Sequence, residues 1–252
     1  MKLCVPIPCF FKNRPFEEAA EAIRKAGYEY AETYGWKQYD LSACADALKR
    51  HGVTLVSMCT TEFRLTDPEF RDAWVEGIRE SCAAASVLGV KKLITQVGPD
   101  TGAGKEAQHR SIVEGLRAGA GILEDAGITV MIEPLNTLVN HPGYYLTSSA
   151  EAFEIVREAG SPNVKVVYDI YHQQISEGNI IPSVTANLEC IAHLHAAGHP
   201  GRHELQFGEN DYRNIFAAID AAGYTGCCGL EYRPLLDPEE SLVLARKLYG
   251  TP

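Results

Sequence analysis

Short apolar segments rich in β-forming residues alternate with longer amphipathic segments along the chain. The apolar segments predict eight strands, at residues 3–7, 28–33, 53–58, 92–96, 128–133, 164–169, 191–195 and 226–231. The amphipathic segments predict eight helices, at residues 16–26, 42–51, 68–88, 107–126, 148–159, 182–190, 211–222 and 238–248. Six helices are followed by a glycine, which is expected to adopt a left-handed conformation there: Gly27, Gly52, Gly89, Gly127, Gly160 and Gly223.

The repeated order of strand and helix indicates a parallel sheet built from βαβ units. Eight such units in 252 residues predict an α/β fold with a single (β/α)8 TIM barrel spanning residues 1–252. An open, doubly wound sheet is the alternative. The sequence offers no glycine-rich phosphate-binding turn between a strand and a helix to support a nucleotide-binding version of that sheet.

The charge of the chain argues against two classes of partner. A net charge of −10 without a basic stripe is unlike a nucleic-acid-binding protein, and it also disfavours acidic membrane surfaces. No apolar run has the length of a membrane span and no signal peptide is recognisable, so we expect a cytoplasmic protein. The eight cysteines lack CxxC spacing and are expected to be reduced thiols. The oligomeric state stays open, and the pattern is compatible with a homo-oligomer.

Each of the last four predicted strands ends in a side chain that can bind a metal: Glu133, Asp169, His195 and Glu231. The carboxyl ends of barrel strands converge at one mouth, so these four side chains are expected to meet there. Two Glu, one Asp and one His favour one divalent ion, with Mn²⁺ or Mg²⁺ ahead of Co²⁺ or Zn²⁺. A single strand-end carboxylate more often caps a helix or pairs with a lysine. Four on consecutive strands favour a metal site.

Two further side chains are expected at the rim of this mouth. His172 follows Asp169 on a predicted loop, where it either contacts substrate or holds the loop. Arg202 either binds a substrate carboxylate or hydroxyl through paired hydrogen bonds or neutralises the acidic site. His193 is expected to lie deeper and to be structural. The remaining pocket candidates have no assigned role: Trp36, Glu62 and Glu204.

The motifs around these residues together resemble the hydroxypyruvate isomerase family, within the xylose-isomerase-like barrel superfamily. The resemblance is carried by Ile-Glu-Pro-Leu-Asn (132–136), Pro-Gly-Tyr-Tyr-Leu (142–146), Tyr-Asp-Ile-Tyr-His (168–172), Pro-Gly-Arg-His-Glu (200–204), Gly-Glu-Asn-Asp-Tyr (208–212) and Gly-Leu-Glu-Tyr-Arg-Pro (229–234). It is specific over about residues 128–234, and before that only the barrel pattern matches.

The resemblance implies a role for each matching position. Glu133 and Glu231 are implied to hold the metal and to exchange protons with substrate, and Asp169 to be a further metal ligand. His172 and Arg202 are implied to contact substrate. His195 departs from the pattern, because many hydroxypyruvate isomerases carry Gln there, whereas related ketose 3-epimerases carry a metal-binding His. The segment 60–67 also looks shorter than in the isomerases.

The reaction implied is removal of a proton beside a metal-bound carbonyl to give an enediolate. Return of the proton to the neighbouring carbon isomerises a small hydroxy-keto acid or sugar, with hydroxypyruvate as the representative substrate. Return to the same carbon gives a ketose 3-epimerase, which is the alternative, and a lyase is a third possibility. A metal-dependent abasic-site nuclease and a sugar-binding barrel without catalysis are the candidates from other classes. The acidic charge argues against the nuclease.

Overall fold

The computed structural model describes residues 1–250 and contains a closed barrel of eight parallel strands in chain order. The strands are β1 (Lys2–Pro6), β2 (Tyr30–Glu32), β3 (Thr54–Cys59), β4 (Lys92–Thr95), β5 (Thr129–Ile132), β6 (Val164–Asp169), β7 (Ile191–Ala196) and β8 (Cys227–Leu230). Strand β1 pairs with β8 and closes the barrel, so the (β/α)8 prediction is confirmed and the open sheet is excluded.

Ten α-helices surround the barrel or follow its strands within the described residues. They are α1 (Ile7–Phe10), α2 (Phe16–Lys25), α3 (Leu41–His51), α4 (Arg71–Leu88), α5 (Lys105–Ala126), α6 (Ser149–Ala159), α7 (Ile170–Ser176), α8 (Ile180–Thr185), α9 (Tyr212–Ala221) and α10 (Pro238–Tyr249). The six predicted helix-ending glycines all have positive φ, from 60° at Gly127 to 90° at Gly223, as expected. None of these helices combines the length and apolar character of a membrane span.

The prediction was wrong in the region after β6. The helix predicted at 182–190 is only the six-residue α8, followed by a separate 3₁₀ turn at Leu188–Cys190. His172, expected on a loop, lies in α7, which begins directly after β6. The Asp169 carboxylate caps this helix by accepting from the Tyr171 amide at 2.8 Å. A seven-residue helix is too short to show a periodic pattern in the sequence.

The strand register aligns the residues that line the barrel interior. Asp169 pairs with His195, and His195 pairs with Gly229, so these residues stand at one level. Met131 and Val167 form a small, fully buried apolar cluster with Ile94 inside the barrel. They stand two residues before Glu133 and Asp169, and strand alternation therefore points these acidic side chains to the interior above that cluster.

Candidate active site

Four side chains at the carboxyl ends of the last four strands lie together inside the barrel mouth. Asp169 ends β6, His195 lies in β7, and Glu133 and Glu231 immediately follow β5 and β8. One ligand atom from each lies within 4.8 Å of the others, and all but Glu231 are buried. The structure thus brings together the four residues that the sequence predicts to meet. Their role as metal ligands stays a prediction.

The geometry of this cluster fits a divalent cation. Glu133 Oε1 and His195 Nδ1 are buried and have no hydrogen-bond partner among the described residues, although they lie only 3.4 Å apart. His195 Nδ1 also lies 3.2 Å from Glu231 Oε2. With the three carboxylates ionised and His195 neutral, as metal binding requires, Arg202 balances one negative charge and leaves two for a cation. Oxygen-rich ligands with one imidazole suit Mn²⁺ or Mg²⁺ and admit Zn²⁺ or Co²⁺.

The two glutamates differ in proton affinity. Glu231 accepts one hydrogen bond from Tyr34 Oη and one from Arg202 Nη2, each at 2.5 Å. Burial alone would raise the pKa of Glu231, but the charges of Arg202 and His195 outweigh it and hold this pKa well below its usual range. Burial raises the pKa of Glu133, and the negative charge of Glu231 raises it further. Such a pair is suited to separate base and acid roles.

Asp169 is the most deeply buried acid of the cluster. Burial raises its pKa to about 7, even though the guanidinium of Arg202 opposes that shift. Its Oδ1 is occupied by the cap of α7, and its Oδ2 faces Arg202 Nη2 at 3.5 Å. Asp169 therefore offers one oxygen to the cluster and uses the other to position the helix that carries His172.

His172 lines the cavity, and its hydrogen bonds identify which ring nitrogen carries the proton. Its Nδ1 accepts a hydrogen bond from the backbone N–H of Asn136 at 3.2 Å and lies 2.6 Å from the side-chain Nδ2 of the same residue. The proton must then reside on Nε2, which is buried without a hydrogen-bond partner among residues 1–250 and lies 3.5 Å from Asp169 Oδ2. Burial and the charge of Arg202 bring the pKa of His172 well below its ordinary value, so the ring is neutral.

Arg202 is already engaged with the acidic residues. Its Nη2 contacts Glu231 and Asp169, and its Nε donates to the Glu231 backbone oxygen at 3.2 Å. The backbone of Arg202 is left-handed, with φ of 59°, which costs an L-residue about 1–3 kcal/mol and is typical of functional sites. It lines the cavity as well, so it neutralises the acids while remaining within reach of a bound molecule.

A cavity of about 840 Å³ opens above the cluster, a size ordinary for small-molecule sites. Its lining includes residues that the sequence prediction missed: Cys9, Lys12, Tyr34, Gln96, His141 and Arg233. Tyr34 had a usable signal, because it stands two residues beyond Glu32, the last residue of β2, and so points to the same side. The others lie outside strands or carry no distinctive pattern.

Three candidates without an assigned role lie outside this cavity lining. Glu62 pairs with Arg64 at 2.7 Å. Glu204 is fully buried and accepts from the backbone amides of the segment that follows β8, including Leu235 at 2.9 Å, so its role is structural. Trp36 is half-buried, and its indole nitrogen has no hydrogen-bond partner in the described chain.

The cysteines and His193 are as the sequence predicts. All eight cysteines are free, and six of them are buried. Burial raises the pKa of Cys9 to about 12, and burial also raises the pKa of Cys59, so these two cavity thiols are protonated and poor nucleophiles. His193 is fully buried below His195, with their ring centres 5.1 Å apart.

Comparison with known proteins places the chain in a family. The model of the xylose isomerase-like TIM barrel family matches residues 20–248. The hydroxypyruvate isomerase of Escherichia coli is 36% identical over 177 residues, covering 70% of this chain and 67% of that protein. A 2-oxo-tetronate isomerase of Cupriavidus necator is 36% identical over 151 residues, covering 60% of this chain and 58% of that protein.

Solved structures show the same barrel. One titled AP endonuclease, family 2, from Brucella melitensis has a TM-score of 0.92 and 28% identity, and the match covers 97% of this chain and 98% of that one. Several ketose 3-epimerases of known structure share the fold alone, at 18–22% identity. The chain belongs to the xylose isomerase-like TIM-barrel family, which confirms the resemblance, and its relatives identify it as an isomerase-class enzyme.

Proposed function

We propose that this protein is a divalent-metal-dependent isomerase of a small hydroxy-keto acid, with conversion of hydroxypyruvate to tartronate semialdehyde as the representative reaction. The observation that carries the proposal is the pairing of Glu133 and Glu231 across one cluster, with their pKa values displaced in opposite directions. Two such groups beside a bound carbonyl can remove and return a proton within one active site.

The ligands of the ion are Glu133, Asp169, His195 and Glu231 in this proposal. The ion, Mn²⁺ or Mg²⁺ before Co²⁺ or Zn²⁺, supplies Lewis-acid polarisation of the substrate carbonyl when bound. The side chains of the protein carry out the proton transfers and hydrogen-bond the substrate.

The proton steps follow from the states of three side chains. Isomerisation breaks a C3–H bond and forms a C2–H bond, while the 3-hydroxyl loses a proton and O2 gains one, so no oxidant or reductant is needed. Glu231, held ionised, removes the C3 proton to leave an enediolate. Glu133, which retains a proton more readily, returns one at C2. His172 also lines the cavity, and its Nε2–H, which has no hydrogen-bond partner among the described residues, can hydrogen-bond a substrate oxygen as charge develops.

Two cations at the cavity wall favour an acid as substrate. Lys12 and Arg233 both line the cavity, both are exposed, and neither has an ion-pair partner among residues 1–250. Arg202, in contrast, is already paired with Glu231. We therefore assign the substrate carboxylate to Lys12 and Arg233, at the outer end of the cavity. The hydroxypyruvate and 2-oxo-tetronate of the relatives' names are both 2-oxo acids with a hydroxyl on the next carbon.

The test is a metal-replete assay that compares hydroxypyruvate and 2-oxo-tetronate with neutral ketoses, in the wild type and in the Lys12→Met variant. We expect turnover of the acids and a KM for them raised about tenfold in Lys12→Met, which is the effect of losing one charged hydrogen bond. The same substitution should leave kcat within about twofold, because Lys12 binds the carboxylate in this proposal and takes no part in the proton steps. Turnover of ketoses alone would reject the acid assignment.

A ketose 3-epimerase is the second candidate, and His195 is the observation that favours it. The residue faces the cluster, and the resemblance implies Gln at this position in many hydroxypyruvate isomerases but a metal-binding His in ketose 3-epimerases. Solvent exchange of the C3 proton of a ketose, without formation of an aldose, would select the epimerase. The abasic-site nuclease is disfavoured by the net charge of −10, and cleavage of abasic DNA by the purified protein would overturn that preference.

A further inference from the structure

A fifth acidic side chain, Glu32, lies buried below the cluster and does not line the cavity. It ends β2 and is only 1% exposed. Its Oε1 accepts from Cys4 Sγ at 2.9 Å, and its Oε2 accepts from Ser57 Oγ at 2.6 Å. A buried carboxylate is costly unless it is fully hydrogen-bonded. These two donors, together with His193 and His195, hold Glu32 in a fixed position in the barrel interior.

Glu32 contacts one nitrogen of His195, and the metal cluster faces the other. His195 Nε2 lies 3.1 Å from Glu32 Oε2. An ionised carboxylate only accepts hydrogen bonds, so this nitrogen carries the proton. When the ring is neutral, as it must be to bind a metal, its lone pair is on Nδ1, which faces Glu133 and Glu231 and has no hydrogen-bond partner among the described residues. Ligating histidines commonly donate their other N–H to a carboxylate in this way.

The last barrel strand leaves room for this contact. A Cβ atom at Gly229 would overlap the Glu32 carboxylate and would lie only 2.8 Å from His195 Cδ2. Gly229 pairs directly with His195 in the sheet. The missing side chain on β8 therefore allows a carboxylate from β2 to reach across the barrel to β7.

His193, which lies on β7 like His195, also holds Glu32 in place. Its Nε2 also lies 3.1 Å from Glu32 Oε2, and its ring is nearly perpendicular to that of His195, at 88°. Cys4, Glu32 and His193 resemble a second set of metal ligands. Their atoms are already hydrogen-bonded to one another through Glu32, and they are fully buried, which makes them a structural group.

We propose that Glu32 is a positioning residue that fixes the orientation and the Nε2–H tautomer of His195 and thereby sets the affinity of the cluster for its metal. The proposal rests on the metal dependence in the proposed function. It adds a residue whose effect is exerted entirely through His195, since Glu32 contacts neither the cavity nor the other three ligands.

The experiment measures Mn²⁺ binding to the full-length protein by calorimetric titration. Glu32→Gln removes the charge, and Glu32→Asp withdraws the carboxylate by one methylene. We expect both variants to bind one ion per chain with a dissociation constant raised about 10- to 100-fold. Glu151→Gln is the matched control, a buried glutamate on α6 outside the cavity, and it should change the constant less than about threefold.

A second measurement does not depend on the variants folding. The ¹⁵N NMR spectrum of histidine-labelled, Zn²⁺-loaded wild type should show His195 protonated at Nε2 and bound through Nδ1. The opposite tautomer would overturn the proposal, as would unchanged Mn²⁺ affinity in both folded variants. Two ions bound by the wild type, with one lost in Glu32→Gln, would instead show that Glu32 is itself a ligand. Tight Mn²⁺ binding without turnover of any hydroxy-keto acid would reject the proposed function and leave the role of Glu32 standing.

Discussion

The Glu231→Gln variant is expected to lose about 10³-fold in kcat for hydroxypyruvate while keeping its fold. General acid–base catalysis contributes about 10²- to 10⁴-fold, and Gln retains the size of Glu but cannot accept a proton. Glu231 is ionised and therefore able to accept a proton, because Arg202 and Tyr34 both stabilise its charge. The measurement is steady-state kinetics at saturating Mn²⁺, with circular dichroism to verify the fold.

Glu133→Gln should cause a loss of similar size for a different reason. Its carboxyl has a free oxygen and a raised pKa, so the substitution removes the group that returns the proton. Glu151→Gln again serves as the control and should retain wild-type kcat. Full activity in either cluster variant would contradict the two-glutamate account. If the wild type binds ligand without turnover and both glutamate variants bind it equally well, the result would support a sugar-binding barrel without catalysis.

Removal of the metal by a chelator is expected to abolish turnover, and Mn²⁺ or Mg²⁺ should restore it. Without a cation, Glu133, Asp169 and Glu231 repel one another in a buried site. A bound ion should also raise the melting temperature, because a ligand at 100 times its Kd adds about 2.7 kcal/mol to the unfolding free energy. Full activity of protein in which elemental analysis detects no metal would contradict this prediction.

The metal affinity should rise with pH. The pKa of Asp169 is raised to about 7 by burial. Burial alone would lower the pKa of His195, but the charges of Glu231 and Glu32 outweigh it and raise that pKa well above its ordinary value. Protons on these two groups must leave before the ion binds, so affinity falls as the pH decreases through about 7 and binding releases protons. Titrations in two buffers of different ionisation enthalpy measure that release.

The sequence predicted the barrel and the four-residue cluster for the same reason. Helix-ending glycines and short apolar strands reflect local backbone preferences, which are legible without coordinates. The period of two along a strand then determines which strand-end side chains point inward, as it does for Asp169 and His195. Helix α7 was not predicted because it is too short for a periodic signal. Its start is determined by the cap from the Asp169 side chain.

Glu32 shows what local sequence patterns could not predict. It is the last residue of β2 and the last but one of the strand predicted at 28–33, so it carried a signal similar to that of Asp169. Its partners lie on β1, β3 and β7, up to 163 residues away along the chain, and the contact also requires a glycine on β8. The direction in which a buried carboxylate turns depends on barrel closure and register. Local sequence patterns contain neither, and the same holds for the pairing of Arg202 with Glu231.

Turnover of hydroxypyruvate in D₂O, followed by NMR, tests the central claim most directly. If Glu231 removes the C3 proton and Glu133 returns a different one at C2, the tartronate semialdehyde formed should carry solvent deuterium at C2. That product should be absent from the Glu231→Gln variant and from metal-free protein. Retention of the substrate's own proton at C2 would contradict transfer between two glutamates, and exchange at C3 without any aldehyde product would contradict isomerisation.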